Sequence, residues 1–210
     1  LLARVEDPSP EPPEGVCLVT AGVDVQTDRL EVALVGWGRG EESWALDHRV
    51  IPGDPGHPQP WAVLDELLTR PLGRHVVQAA GIDAGYQTQA VCDWCKARVS
   101  RRCWALKGIA NMESPRPIWP PRSSRTDGGR REIRLVGVDT AKELIHARLS
   151  IEETGPGYVH MLRPHCDDVW LHQLVAEKLR TKYIHGRAVH YWWKPDGRRC
   201  VRALLASMKP

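Results

Sequence analysis

Three strand patterns with short connections lie near the start of the chain, and they constrain the fold more than any other feature. Residues 16–25, 30–37 and 43–51 are each rich in β-branched and other apolar residues, and turn-forming segments separate them. Consecutive strands joined by short turns pair in the antiparallel sense. The sequence therefore predicts a three-stranded antiparallel unit, preceded by a Pro- and Glu-rich linker over residues 1–15.

After this unit the sequence predicts alternating helices and strands. Trp61 and Leu64 begin a helical pattern that Pro71 ends, HVVQAAGID reads as a buried strand, residues 88–99 as a helix and CWALKG as another strand. The remaining predicted elements are EIRLVGV, a helix over residues 140–150, GYVHML, a helix over roughly 167–180, and HYWWK. We expect an α/β fold in one domain over residues 16–210: three antiparallel strands followed by parallel strands in one mixed sheet, flanked by helices.

The composition narrows the class of protein. No run of 18 apolar residues and no signal-peptide pattern is present, so we expect an intracellular protein without a membrane span. The net charge of +3 is too small to show an anionic partner. Cys92 and Cys95 are compatible with a zinc site that includes Cys103, but their spacing on a helix equally predicts apolar packing, which we favour.

Two aspartates interrupt segments that otherwise read as buried strands. Asp24 lies between Val23 and Val25, and Asp83 ends the fourth strand. A buried carboxylate destabilises the fold unless a partner offsets its desolvation. If the two strands are adjacent and parallel, the aspartates converge at the carboxyl edge of the sheet, where a hard cation such as Mg²⁺ or Mn²⁺ would neutralise their repulsion. Single aspartates also end strands without any function, so for either residue alone this alternative stays open.

A basic segment without periodicity covers residues 109–131. A loop of this length inside a domain is usually functional or disordered, and this composition is suited to lie along phosphates, although a merely solvated loop is the alternative. Thr140 and Glu143 then have capping-box spacing, so we favour Asp139 as part of a helix start over Asp139 as a metal ligand, and the second alternative stays open. The arginines of the basic segment are Arg116, Arg122, Arg125, Arg130 and Arg131.

These motifs, in this order, resemble one known family. The run VTAGVDVQTDRLEVALVGWGRGEESWALDHRVIPGDP is followed by LDELL, IDAGYQTQAV, WALKG, VGVDTAKELIHARL, GPGYVHM, QLVAEKL and YWWKP. From about residue 16 to residue 195 the chain resembles the nuclease domain of the large terminase subunit of lambda-like tailed bacteriophages. The resemblance implies an RNase H-like endodeoxyribonuclease that cuts concatemeric double-stranded DNA during packaging, with two Mg²⁺ or Mn²⁺ ions.

The resemblance also implies roles for particular residues. Asp24 and Asp83 match the first two metal-binding acids and are the expected catalytic residues. Lys107 and Lys142 match basic positions for which we expect phosphate contacts, and Glu177 falls on a family motif that solvation of a helix face explains equally well. The implied partners are double-stranded DNA, a small terminase subunit and a portal, and the implied location is the host bacterial cytoplasm, for a phage or prophage protein.

The end of the chain departs from the family pattern. The family continues with an Asn-Glu-x-Leu-Asp element that supplies a third metal-binding carboxylate, whereas this chain reads KPDGRRCVRALLASMKP, with no carboxylate after Asp196. Asp139 and Asp196 are the candidate substitutes, and residues 196–210 form a divergent or truncated end. Because no GxxxxGK[ST] motif is present, we expect the ATPase motor domain to be absent. An active endonuclease and a catalytically impaired, DNA-binding remnant both remain open.

Overall fold

The computed structural model describes residues 5–7, 11–110, 116–126, 128–163, 165–166, 168–184 and 186–193. The regular elements are, in chain order, β1 (Val5–Glu6), β2 (Leu18–Val25), β3 (Arg29–Trp37), β4 (Ser43–Pro52), α1 (Pro58–Thr69), β5 (Val77–Asp83), α2 (Thr88–Lys96), β6 (Cys103–Ile109), β7 (Ser124–Thr126), β8 (Arg131–Gly137), α3 (Val138–Leu149), β9 (Val159–Leu162), α4 (Asp168–Leu174), β10 (Lys178–Ile184) and β11 (Arg187–Trp193). Among these residues, no helix has the length and apolar character needed to cross a membrane.

A mixed sheet dominates the described part of the chain, with nine strands in the order β1-β9-β4-β3-β2-β5-β6-β8-β7. β2, β3 and β4 pair in the antiparallel sense, whereas β5, β6 and β8 continue the sheet from β2 as parallel neighbours. The predicted α/β class and its mixed sheet are confirmed. Strand order runs in opposite directions on the two sides of the β2–β5 pair, which makes this pair the switch point of the sheet.

Helices cover both faces of the sheet, and the core side chains show which helix covers which face. Leu64 of α1 and Val91 of α2 belong to one apolar cluster with Val23 and Ile82 of the central strands. Trp170 of α4 belongs to a second cluster, which also includes Leu149 of α3. Since side chains alternate between faces along a strand, the residues next to Val23 and Ile82 face the α3–α4 side.

Residues 5 and 6 form a strand within the segment that the sequence predicts to be a linker. β1 pairs in parallel with β9, and Nδ1 of His160 on β9 lies 2.7 Å from Oε1 of Glu6. The Pro-rich composition around these two residues does not predict a strand, because the strand depends on pairing with β9, which is distant in the sequence.

The predicted helix over residues 167–180 is wrong beyond residue 174. α4 ends at Leu174, and β10 then pairs with β11 in antiparallel register from Lys178↔Trp193 to Ile184↔Arg187. The helical spacing of QLVAEKL is overridden here by backbone pairing with the next strand of the chain, because pairing context can outweigh local propensity.

The basic segment at residues 109–131 is not wholly irregular. Its part from Ser124 to Thr126 is β7, which pairs with the start of β8. Gly128 and Gly129 in the connecting turn have φ of 62° and 90°, a conformation that favours glycine. The segment thus contains an edge strand and a hairpin.

The cysteine pair packs as the favoured prediction states. Cys92, Cys95 and Cys103 are buried in the apolar cluster beneath α1 and α2. Burial raises the pKa of all three thiols. The structure therefore confirms apolar packing for Cys92 and Cys95.

We predict that Leu64→Ala lowers the free energy of unfolding by about 2–5 kcal/mol, because it leaves a cavity where α1 meets the sheet. Leu64 is fully buried, whereas the adjacent Val63 is 50% exposed, so Val63→Ala is the matched control and should change stability by less than about 0.5 kcal/mol. Urea unfolding of both variants measures the difference. Equal effects would contradict the assignment of Leu64 to the core.

Candidate metal centre

The parallel pairing of β2 with β5 brings two of the predicted site residues together. Val23 pairs with Ile82 in this register, and Asp24 and Asp83 are the next residues of the two strands. Neighbouring strands lie about 4.8 Å apart. The two aspartates therefore lie side by side at the carboxyl edge of the sheet, on its α3–α4 face, which meets the condition that the sequence sets for their convergence.

Asp24 is only 4% exposed, and a side-chain amide bonds to it. Nε2 of Gln26 donates to Oδ2 of Asp24 at 2.9 Å and lies 3.1 Å from Oε1 of Glu31. Gln26 thus holds two carboxylates with one amide group. This contact accounts in part for a carboxylate inside an otherwise apolar strand, because a buried charge needs hydrogen-bond donors.

Glu31 is a site residue that the sequence reading overlooks. It pairs directly with Asp24 across the β2–β3 hairpin, and it is 9% exposed. The hairpin pattern itself carries the signal, because pairing Val25 with Leu30 across the turn also aligns Asp24 with Glu31. Two carboxylates directly opposite each other repel, so this pair has to be offset locally.

A cation offsets the charge of Glu31. Nε of Arg29 lies 2.8 Å from Oε1 of Glu31, and this hydrogen bond raises the pKa of Arg29 further above its ordinary value. The guanidinium also contacts the exposed Asp28 at 2.8 Å. Glu31 is therefore neutralised by Arg29, whereas the contact that Gln26 makes to Asp24 is uncharged.

Asp83 occupies the end of β5 and begins the loop to α2. Its Oδ1 accepts a hydrogen bond from the backbone N–H of Gly85 at 3.0 Å. The side chain is half-buried, between the core and the surface. This backbone contact fixes one carboxylate oxygen of Asp83.

Two other candidates lie further from this pair. Asp139 is buried in the first turn of α3, directly after β8, which is two strands beyond β5. Lys107 is exposed, and it pairs with Leu135, which packs against the apolar cluster beneath α1 and α2. Since paired residues share a face, Lys107 lies on the face opposite to Asp24 and Asp83. Asp196 lies outside the described residues.

The predicted capping box at Thr140 is wrong. The helix begins two residues earlier, at Val138, and its N-cap Gly137 makes no side-chain hydrogen bond. Thr140 instead donates its hydroxyl to the carbonyl of Arg116 at 2.7 Å. This contact brings the start of the described basic segment to the carboxyl end of β8, along the same edge as the aspartates.

The predicted DNA-binding cations fall into two groups. Arg131 is bound to Asp93 of α2, with Nε 3.1 Å from Oδ1, and Lys142 lies 2.7 Å from Glu177. The other four arginines of the basic segment are exposed, and they are Arg116, Arg122, Arg125 and Arg130. Only Arg116 lies at the carboxyl edge, because β7 pairs with the opposite end of β8.

The donor set suits a hard divalent cation that shares its coordination with other ligands. Carboxylate oxygens are the ligands that Mg²⁺ prefers, and proteins commonly bind Mg²⁺ through one or two carboxylates, with water and substrate phosphates completing the sphere. Among the described residues, no group of three or more His, Cys, Asp and Glu is placed to hold a metal ion. Asp24 and Asp83 therefore fit a site that substrate completes.

A mixed sheet with helices on both faces, and with acidic residues at the carboxyl ends of its central strands, is consistent with an RNase H-like fold. The chain belongs to the family described as "Terminase large subunit gpA, endonuclease domain", whose sequence model matches residues 1–201.

Two relatives carry the same name, "Terminase, large subunit". The protein of Escherichia phage lambda is 30% identical over 203 residues, which cover 90% of this chain and 31% of the relative. The protein of Enterobacteria phage P21 is 26% identical over 207 residues, which cover 86% of this chain and 30% of the relative. The chain thus spans about a third of their length. No solved structure matches it significantly.

We predict that Gln26→Ala, measured by urea unfolding in metal-free buffer, lowers the free energy of unfolding by about 1–3 kcal/mol, because both carboxylates lose a donor. Adding Glu31→Gln to this variant removes one of the two opposed charges and should recover part of the loss. Thr27→Ala, at an exposed position of the same turn, is the control. A Gln26→Ala variant as stable as the control would show that the amide does not offset the carboxylates.

Proposed function

We propose that the chain is a metal-dependent endonuclease domain that cuts concatemeric double-stranded phage DNA by phosphodiester hydrolysis. The parallel register that places Asp24 beside Asp83 is the observation that supports it most. The family of the chain supports the same reaction class. Relatives named as terminase large subunits support DNA packaging as its setting.

Asp24 and Asp83 are the residues that would hold Mg²⁺ or Mn²⁺ in this proposal. Two such ions, if bound there, would supply the activation of a water and the stabilisation of the leaving oxygen that phosphodiester hydrolysis requires. Asp24 is held by Gln26 and Asp83 by the N–H of Gly85, so both carboxylates are oriented before substrate arrives. Glu31 is engaged by Arg29, and we assign it the positioning of Gln26. Asp139 and Asp196 remain the proposed third acids.

The exposed cations of the basic segment would bind DNA phosphates. Arg116 lies at the carboxyl edge with the aspartates, and Arg122, Arg125 and Arg130 would extend the contact across β7 and β8. Lys107 would contact phosphate only from the opposite face. Arg131 and Lys142 would have to exchange their present carboxylate partners for phosphate, so they are the weaker part of this proposal.

The remaining expectations concern the larger assembly. We propose that the domain acts beside a small terminase subunit and a portal in the host bacterial cytoplasm, as part of a packaging machine. Its curated relatives are about three times longer than the matched region. Contacts to these partners are not assigned to any residue.

A catalytically impaired DNA-binding domain is the second candidate function. It is favoured by the absence, among the described residues, of a group of three metal-binding side chains, and by residues 196–210, which read DGRRCVRALLASMKP instead of the expected Asn-Glu-x-Leu-Asp element. A domain of this kind would bind DNA with strong salt dependence and cut nothing.

Nicking of supercoiled plasmid in Mg²⁺ and in Mn²⁺ tests the proposal. We expect Asp24→Asn and Asp83→Asn each to reduce nicking by more than the roughly 10- to 100-fold that outer-shell changes cost at metal sites. Glu66→Gln removes one exposed carboxylate from α1 and should leave the rate unchanged. Full activity of either Asn variant would refute the site, and a wild-type chain that binds DNA without cutting it would establish the impaired domain.

A further inference from the structure

The β10–β11 hairpin, which we call the ribbon, is a two-stranded sheet separate from the main sheet. Residues 178–193 read KLRTKYIHGRAVHYWW, a stretch with four Lys or Arg and no Asp or Glu. The sequence predicts a helix over the first part of this segment. Because the segment is a hairpin in the structure, the strand register decides on which face of the ribbon a charged side chain lies.

One face of the ribbon rests on α3. Leu179 and Trp192 are directly opposed and share this face. The Trp192 ring lies 4.6 Å from the His146 ring and 5.9 Å from Nζ of Lys142. Lys142 in turn binds Glu177, immediately before β10, at 2.7 Å. These contacts fix the base of the ribbon on the helix that follows β8.

The other face carries the cations. Lys178 pairs with Trp193, and Arg180 pairs with Tyr191, so these four residues share the face opposite to Trp192. The Arg180 guanidinium stacks 3.6 Å from the Trp193 ring centroid. The side chains of Lys178 and Arg180 therefore lie on the face opposite to the one that contacts α3.

We propose that this basic face of the ribbon binds the backbone of double-stranded DNA and holds the duplex for cleavage, an inference that rests on the proposed nuclease function. Lys178 and Arg180, in a segment without Asp or Glu, complement phosphates, and a two-stranded ribbon has the width that the major groove admits. Lys142 lies four residues into α3, about 6 Å from the helix start at the carboxyl edge, so the ribbon base lies near that edge.

Duplex binding by the Lys178→Gln/Arg180→Gln variant tests this inference. Fluorescence anisotropy of a labelled duplex, titrated with the whole chain in metal-free buffer at several salt concentrations, gives affinity and salt slope. Each lost phosphate contact reduces the slope of log K against log salt by about 0.9, so two lost contacts weaken binding up to about 60-fold at 0.1 M salt relative to 1 M. Arg180→Lys keeps the charge and should retain the wild-type slope.

Arg70→Gln/Lys96→Gln is the matched control, because it removes the same charge from exposed positions at the ends of α1 and α2, on the opposite face. Equal losses in both double variants, or wild-type binding by the ribbon variant, would overturn the inference. If the wild-type chain still nicks plasmid in that case, the proposed function stands without the ribbon. Absence of duplex binding by the wild-type chain would overturn both. Lys178→Gln alone, at an exposed position, gives the same test if the double variant unfolds.

Discussion

The parallel backbone pairing of β2 with β5 is the constraint on which the rest of the site depends. It directs Val23 and Ile82 into the core beneath α1 and α2 and, by alternation, leaves Asp24 and Asp83 together on the other face. A slip of one residue would turn an aspartate into that core and an apolar residue out of it. Burial of the α1–α2 side therefore fixes the register that aligns the carboxylates.

This arrangement concentrates negative charge where the chain can least solvate it. Asp24 and Glu31 lie opposite each other and are buried. The side-chain amide of Gln26 donates hydrogen bonds to both carboxylates, and the guanidinium of Arg29 forms an ion pair with Glu31. Glu31 receives the cation, whereas the bond from Gln26 to Asp24 carries no charge. Preorganised charge of this kind commonly lowers the stability of a protein at its active site. A divalent cation bound by Asp24 and Asp83 would reduce the repulsion between the carboxylates.

The sequence is sufficient to predict β2, β3 and β5 as strands, because each has a local pattern and a clear boundary, but it leaves the parallel pairing of β2 with β5 as a condition that the structure meets. It does not reveal Glu31 as a neighbour of Asp24, since that relation depends on hairpin register. β1 and β10 are missed for a related reason: each is defined by pairing with another segment, while the local composition predicts a linker and a helix. The predicted strand HYWWK is confirmed over residues 190–193, which belong to β11. The match of Lys107 and Lys142 to family positions does not show in which direction their side chains point. In the structure Lys107 lies on the face opposite to the two aspartates, and Lys142 forms an ion pair with Glu177.

Anomalous X-ray diffraction from crystals of the domain grown with Mn²⁺ is the most direct test of the central claim, that Asp24 and Asp83 jointly hold the metal. The predicted result is an anomalous peak in contact with both carboxylates, absent from crystals of the Asp83→Asn variant grown in the same way. Mn²⁺ bound only elsewhere on the chain, with the two aspartates free of it, would contradict the claim.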